Sequence, residues 1–394
     1  MALNKNGEEI VMKDCSRLLS GTVLVGTMLL GLAACGEEQT PQNDAKTQEH
    51  DTSQMDMSNM DSHDMSNMPA GVDKPKMDMG NIDISEMMTD EKYAVLRDRV
   101  PNYREFTDEQ ILLEMLQMGG DDWRYLSPEG KTGKTGVLVL IHGFGPTGDR
   151  IMGDVLTPLG KIFPTAVAAG MAMMSAAHIQ SSVDKLTEAG AETVIVVPLA
   201  STQYNSLVYQ WEHTFGKRDK GSFLDIPQVE TEARLTFVRP IEDHPLAHEI
   251  LLDHAKALST DPSRELVIIV AHGPHWEEEN KKNLEILGNL AERVQEIGGF
   301  SDVQALTLQD DAPSAVRAAN VERLRAMVTQ AKEADKEVII VTNLLSARSI
   351  QWKIERDLEG LEYQFSVKGF SEHPNFAVWM SEEVMQSLKS QSAP

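Results

Sequence analysis

Two histidines in this chain stand where an imidazole can do chemistry. Each ends an unbroken apolar run and opens a glycine turn, in Val137-Leu138-Val139-Leu140-Ile141-His142-Gly143-Phe144-Gly145-Pro146 and again in Leu266-Val267-Ile268-Ile269-Val270-Ala271-His272-Gly273-Pro274-His275. A neutral imidazole holds divalent ions and accepts protons near neutral pH. His142 and His272 are therefore candidate metal ligands and catalytic bases. Gly143, Gly145 and Gly273, lacking side chains, let backbone approach a large flat ligand and are candidate binding positions. His275, and with it Glu277, lies close enough in sequence to His272 to share its metal. His178 reads as a packed helix residue, while Glu212 and His213 fall in a segment that reads as a loop near the same edge. His244 and His373 each precede a proline, which restricts their backbone to extended or turn shapes, so both read as turn elements.

These residues are positioned by short, β-branched apolar runs bounded by glycine and proline, the mark of strands buried on both faces of a parallel sheet. Ligands of such sheets bind at the carboxyl ends of the strands, where both His-Gly turns lie. After His142 the pattern predicts a helix over 149–162, a strand over 165–173, a helix from Ser175 to a stop at Gly190, and strands over 194–199 and 233–238. After His272 it predicts a helix carrying Leu284, Leu287, Leu290, Val294 and Ile297, a strand over 303–308, a helix over 318–334, and strands over 338–341 and 363–367. Strand and helix alternate throughout, which makes βαβ units. His142 and His244 are 102 residues apart and His272 and His373 are 101 apart, so the chain carries one unit twice.

Charge and cysteine content narrow the partners. The 394 residues carry 61 acidic against 36 basic side chains, a formal net charge of −25, which repels nucleic acid. Both cysteines, Cys15 and Cys35, lie near the amino terminus, so the body has no thiolate ligands. Basic Lys13 and Arg17, the apolar run from Leu18 to Leu32 and the small residues before Cys35 have the three regions of a secretory signal. They resemble the lipobox of bacterial lipoproteins, in which Cys35 is lipidated. The expected location is extracytoplasmic, on the outer membrane facing the periplasm, held by a lipid anchor. Residues 36–90 are polar and poor in aliphatics, a tether. Nine methionines lie between Met55 and Met88. Among them Met57, Met60, Met65 and Met68 with His63 offer soft thioether and imidazole ligands suited to Cu(I), unless the segment is an inert linker of biased composition. Residues 91–132 read as a helical lead-in, with Thr107-Asp108-Glu109-Gln110 as a capped helix start.

Ile141-His142-Gly143, Val196-Val197-Pro198-Leu199, Asp243-His244-Pro245, Ala271-His272-Gly273 and Glu372-His373-Pro374, in register, resemble the class II chelatases, the family of sirohydrochlorin cobalto- and ferrochelatases. The resemblance implies two tandem chelatase-like α/β domains (133–260 and 261–386, with 387–394 as a tail), each with a small four-stranded parallel sheet flanked by helices, facing across a cleft. It implies that the histidine after the first strand holds a divalent metal, Co, Ni or Fe, which meets a tetrapyrrole in the cleft. The chain departs from the family at the second metal-binding histidine, where Ser206 and Gln351 stand. Two readings follow: a membrane-tethered lyase that inserts or removes metal, or a non-catalytic metal or tetrapyrrole carrier with a methionine-rich capture tail. One chain supplies both sides of the cleft, so a monomer is expected. A hydrolase reading of Leu140 to Gly145 fails, because no Gly-x-Ser-x-Gly elbow occurs in the chain.

Overall fold

The structure is a computed structural model that describes residues 88–118, 122–143, 145–346 and 349–392. Cys35, Met57, Met60, His63, Met65 and Met68, and with them the proposed anchor and copper ligands, lie outside the described residues. So does Phe144, between the two glycines of the first turn.

Two helical segments come first: α1 (Asp90–Arg99), a short 3-10 turn (Pro101–Glu105) and α2 (Asp108–Met118). Thr107 caps α2 as its sequence predicts, the Gln110 N–H donating to Thr107 Oγ1 while the Thr107 N–H donates to Gln110 Oε1. The first sheet follows, with β1 (Asp122–Tyr125), β2 (Thr135–Ile141), α3 (Gly145–Ile162), β3 (Thr165–Ala169), α4 (Ala177–Glu188), β4 (Thr193–Pro198), α5 (Ser206–Thr214), β5 (Arg234–Phe237) and α6 (Pro245–Lys256). The second contains β6 (Glu265–Ala271), α7 (Glu277–Gly298), β7 (Asp302–Thr307), α8 (Ser314–Glu333), β8 (Glu337–Asn343), α9 (Ser349–Asp357), β9 (Gln364–Phe365) and α10 (Pro374–Ser392).

The strand orders are β1-β3-β2-β4-β5 and β7-β6-β8-β9. Each His-Gly strand, β2 or β6, is central and parallel to both neighbours. The second sheet has the expected four parallel strands, whereas the first gains β1 as an antiparallel edge. Asp-Trp-Arg-Tyr has no apolar run to announce it, which is why the lead-in reads as helical from sequence. Strand β3 stops at Ala169 rather than Met173, because Gly170 (φ 144°) and Ala172 (φ 52°) turn the chain out of extended geometry. The segment expected as a loop around Glu212 and His213 is helix α5, capped by the Asn205 side chain, which accepts from the Leu207 N–H. His244 and His373 cap helices, their Nδ1 atoms accepting from the N–H groups of Leu246 and Asn375.

Alternation along the strands divides the core into three. Val137, Val139, Ile141, Ile195 and Val197 of the first sheet share one cluster with Val267, Ile269, Ala271, Ile339 and Val341 of the second. Helices α3, α6, α7 and α10 lie between them, contributing Leu156, Ile250, Leu290 and Trp379. The opposite strand faces pack outward, Leu138, Leu140, Val194 and Val196 against α1, α2, α4 and α5, and Ile268, Val270, Val338 and Ile340 against α8 and α9. Each fully buried aliphatic here stabilises by about 1.5–3 kcal/mol, so the strands are fixed from both faces.

Candidate metal site

The two His-Gly turns share one local design. His142 Nδ1 is 2.7 Å from the Gly143 carbonyl oxygen, and His272 Nδ1 is 2.9 Å from that of Gly273. A carbonyl only accepts, so Nδ1 carries the proton in the neutral ring and Nε2 presents the lone pair that a metal takes. Both glycines have left-handed backbones, φ 99° at Gly143 and 79° at Gly273, which explains the residue type.

Beyond that design the halves diverge. After β7 the chain returns beside the second turn, with the Leu308 N–H donating to the Ala271 carbonyl and the Asp310 N–H to that of His272. This places His272, Asp310 and Asp311 together, one possible ligand atom from each lying within 4.8 Å of the others. His272 Nε2 stands 3.6 Å from Asp311 Oδ2. Burial works against a charged His272 ring, but Asp311 and Asp310 outweigh it and hold its pKa above the ordinary imidazole value. Asp310 is buried and already paired, with Lys353 Nζ at 2.8 Å and Arg317 Nε at 2.7 Å. Burial raises its carboxyl, yet Lys353, His272 and Arg317 together hold it below the usual range. Arg317 also reaches Asp357 at 2.6 Å, so this network braces the loop on which Asp311 faces His272.

In the first half the Gly170 N–H donates to the Ile141 carbonyl, the equivalent bond, so Gly170-Met171-Ala172-Met173 stands where the second half has Leu308-Gln309-Asp310-Asp311. Met171, Ala172 and Met173 are buried in the outer core. Among the described residues, only the second half gathers three metal-ligating side chains of the His, Cys, Asp and Glu types.

The remaining candidates separate. His275 is buried beside Ser206 of the first half, whose Oγ lies 3.1 Å from Nε2 and 3.3 Å from Nδ1. Burial, helped by the charge of His272 and opposed by Asp311, pushes His275 down to about 4, so it is a neutral ring at pH 7. Glu277 is exposed at the start of α7 and does not join the site. His178 is buried in α4. His213 Nε2 accepts from the Ile226 N–H, and its Nδ1 is 3.1 Å from the Arg218 carbonyl, so it braces a loop. Glu212 pairs with Lys217 and Arg218. Gln351 is buried, donating to Ser346 and Thr342. Sequence reasoning missed Asp310 and Asp311; their signal was two adjacent acids just beyond a strand's carboxyl end. It also missed Glu114 of α2, buried against Tyr103, where burial and Asp311 push the carboxyl up to about 8.

The edges of the two sheets meet here. Besides Ser206 with His275, Lys282 Nζ lies 5.2 Å from the Tyr204 ring, and the Arg104 guanidinium 5.8 Å from the Trp276 ring. No family model and no curated protein matches the chain. Among solved structures, SirB from Bacillus subtilis with Fe3+ aligns at a TM-score of 0.50 with 16% identity, over 64% of this chain and 95% of that one. The fold is chelatase-like. DR2241 from Deinococcus radiodurans, described as a multi-domain protein with structural similarity to chelatases and two additional novel domains, aligns at a TM-score of 0.40 with 17% identity, over 64% of this chain and 54% of that one. At 16% identity the likeness to SirB speaks for the fold alone.

Proposed function

We propose that this chelatase-like chain binds a divalent transition metal, Co, Ni or Fe, at the carboxyl edge of its second sheet and brings it to a tetrapyrrole of the sirohydrochlorin type. The observation that carries the reading is the pairing of His272 Nε2, with its tautomer set by Gly273, and Asp311 at 3.6 Å. Imidazole nitrogen and carboxylate oxygen suit borderline divalent ions and not Cu(I), which prefers thioethers. Insertion needs acceptors for two pyrrole protons as well as a metal ligand. His275, unprotonated at pH 7 beside Ser206 of the first half, is the neighbouring imidazole that can take one, as a weak base because burial holds it down to about 4.

The second reading, a carrier without catalysis, is favoured by one observation: Gln351, at the family's second histidine position, is committed to Ser346 and Thr342. In either reading Cys35 anchors the chain to the outer membrane on the periplasmic side, and in the carrier reading the methionine-rich tether captures Cu(I). Among the described residues no helix is long and apolar enough to cross a membrane. The deciding experiment mixes the purified chain with sirohydrochlorin and Co2+, Ni2+ or Fe2+ and follows the pigment spectrum. Acceleration over the uncatalysed rate, lost in His272→Ala, supports the lyase; metal binding without acceleration supports the carrier. Absence of metal binding overturns both.

A further inference from the structure

The two halves exchange helices. Helix α6 leaves the last strand of the first sheet and packs against β8 and α7 of the second, while α10 leaves the second sheet and packs against α3 and β4 of the first. Ser387 Oγ of α10 lies 3.4 Å from Thr236 Oγ1 of β5. The last turn of α6 meets the start of α10. There His373, the cap of α10, accepts from the Asn375 N–H at Nδ1, so the neutral ring holds its proton on Nε2, 3.2 Å from Asp253 Oδ2. Asn375 Nδ2 donates to Glu249 Oε2 at 2.9 Å. Beside them His254 is only 4% exposed, its ring centroid 5.9 Å from that of His373 and its plane at 72° to it. Neither nitrogen of the buried His254 ring has a hydrogen-bond partner among the described residues.

A ring in that position tolerates neutrality and not charge, because an imidazolium buried without an acceptor loses its hydration and gains nothing in return. Three described groups act on its charge. His373 across the crossing and Lys368 on the segment leading into α10 oppose a proton, while Asp253 of α6 favours one but is already engaged by His373. Burial first, then His373 and Lys368, hold the ring down to about 4. We propose that His254 is an acid-sensitive catch at this crossing: the neutral ring lets α6 and α10 close on one another, and its protonation drives them apart and frees α10 from the first sheet. A ring held below its ordinary 6.5 contributes stability that is complete above that value and is lost as pH falls toward 4, so the catch opens in acid. His254, Asp253 and His373 lie outside the residues of the candidate metal site, so the catch stands apart from the metal-binding reading.

The test is amide hydrogen exchange of the full chain, read on α10 by mass spectrometry across this pH range and corrected for intrinsic rates, with the His254 ring followed by NMR. Opening of α10 is expected to rise roughly tenfold between pH 6.5 and pH 5 in the unaltered chain. In His254→Leu, which fills the site with an apolar side chain that takes no proton, the rise should be less than about twofold. The His254 ring should gain its proton only as α10 opens. An equal acid rise in His254→Leu, or a His254 ring that takes up its proton near 6.5 while α10 stays protected, overturns the catch. Should His254→Leu fail to fold at pH 7, Lys368→Met decides. Lys368 is exposed, and losing its charge relieves the repulsion on the ring, so the acid rise should shrink by about twofold or more. A rise unchanged in Lys368→Met overturns the proposal.

Discussion

The two His-Gly turns begin alike and end differently. Both sit on the central strand of a sheet, both use a left-handed glycine, and both fix the imidazole through the next carbonyl. The loop laid beside the first is apolar and buried, Met171 to Met173; the loop beside the second is acidic and braced by Lys353 and Arg317. A duplicated unit thus keeps the geometry of its histidine in both copies, while the carboxylates beside it depend on what the neighbouring strand delivers. The glycines record the same split. A Cβ on Gly273 would come 2.6 Å from Thr307 Cβ, whereas one on Gly143 meets no described atom within 4 Å.

Substitutions can break this comparison at several depths. Asp310→Ala should have the largest effect, about 3–5 kcal/mol of lost stability in denaturant titration, because Lys353 and Arg317 lose the buried carboxylate that both of them bind. Nothing in the first loop has such a network to lose, so Ala172→Ser there should cost less than half as much. Gly273→Ala should destabilise by roughly 2–4 kcal/mol, combining a left-handed backbone with the Thr307 clash, and Gly143→Ala by about 1–2 kcal/mol from backbone alone. Equal losses at the two glycines would remove the asymmetry. His272→Ala should lower Co2+ affinity roughly a hundredfold, while His142→Ala changes it about twofold or less.

Acid should sharpen the comparison within the second turn itself. His275 is held down to about 4, so its contribution is fully present above its ordinary value of 6.5 and is lost as pH falls from there toward 4. His272, held above its ordinary value by the two aspartates, contributes with the opposite sign: its share is present below 6.5 and fades as pH rises. Replacing His275 by Gln should therefore flatten the acid limb of a melting-temperature profile, by at most about 3 kcal/mol, and leave the limb above pH 7 unchanged. The smallest effect is expected for Ser206→Ala, about 1 kcal/mol or less, since it removes one hydroxyl contact at the junction of the halves.

What sequence could reveal followed from how strongly physics constrains each pattern. Strands such as Val137 to Ile141 and Leu266 to Ala271 must be apolar on both faces, so they stand out. The capped start at Thr107 was also legible, because local backbone rules act within a few residues, and His244 and His373, read as turn elements, prove to cap helices. Strand β1 was not, since its pairing with β3 is what makes Asp-Trp-Arg-Tyr extended. The acids of the site were hidden for a related reason. Asp310 and Asp311 look like ordinary loop polarity until β7 brings them beside His272. Sequence marked the shared imidazoles, and tertiary structure gathers carboxylates beside the second of them.

The helical layer common to both sheets has a thermodynamic consequence. Val139 and Ile195 share a single apolar cluster with Ile269 and Val341 through α3, α6, α7 and α10, so neither half can melt without stripping the other of its cover. Despite its internal repeat, the folded body should unfold in one calorimetric transition. Fragments cut between α6 and β6 should recover native structure only when mixed, which ties the lifetime of the candidate site at His272 to the integrity of the other half.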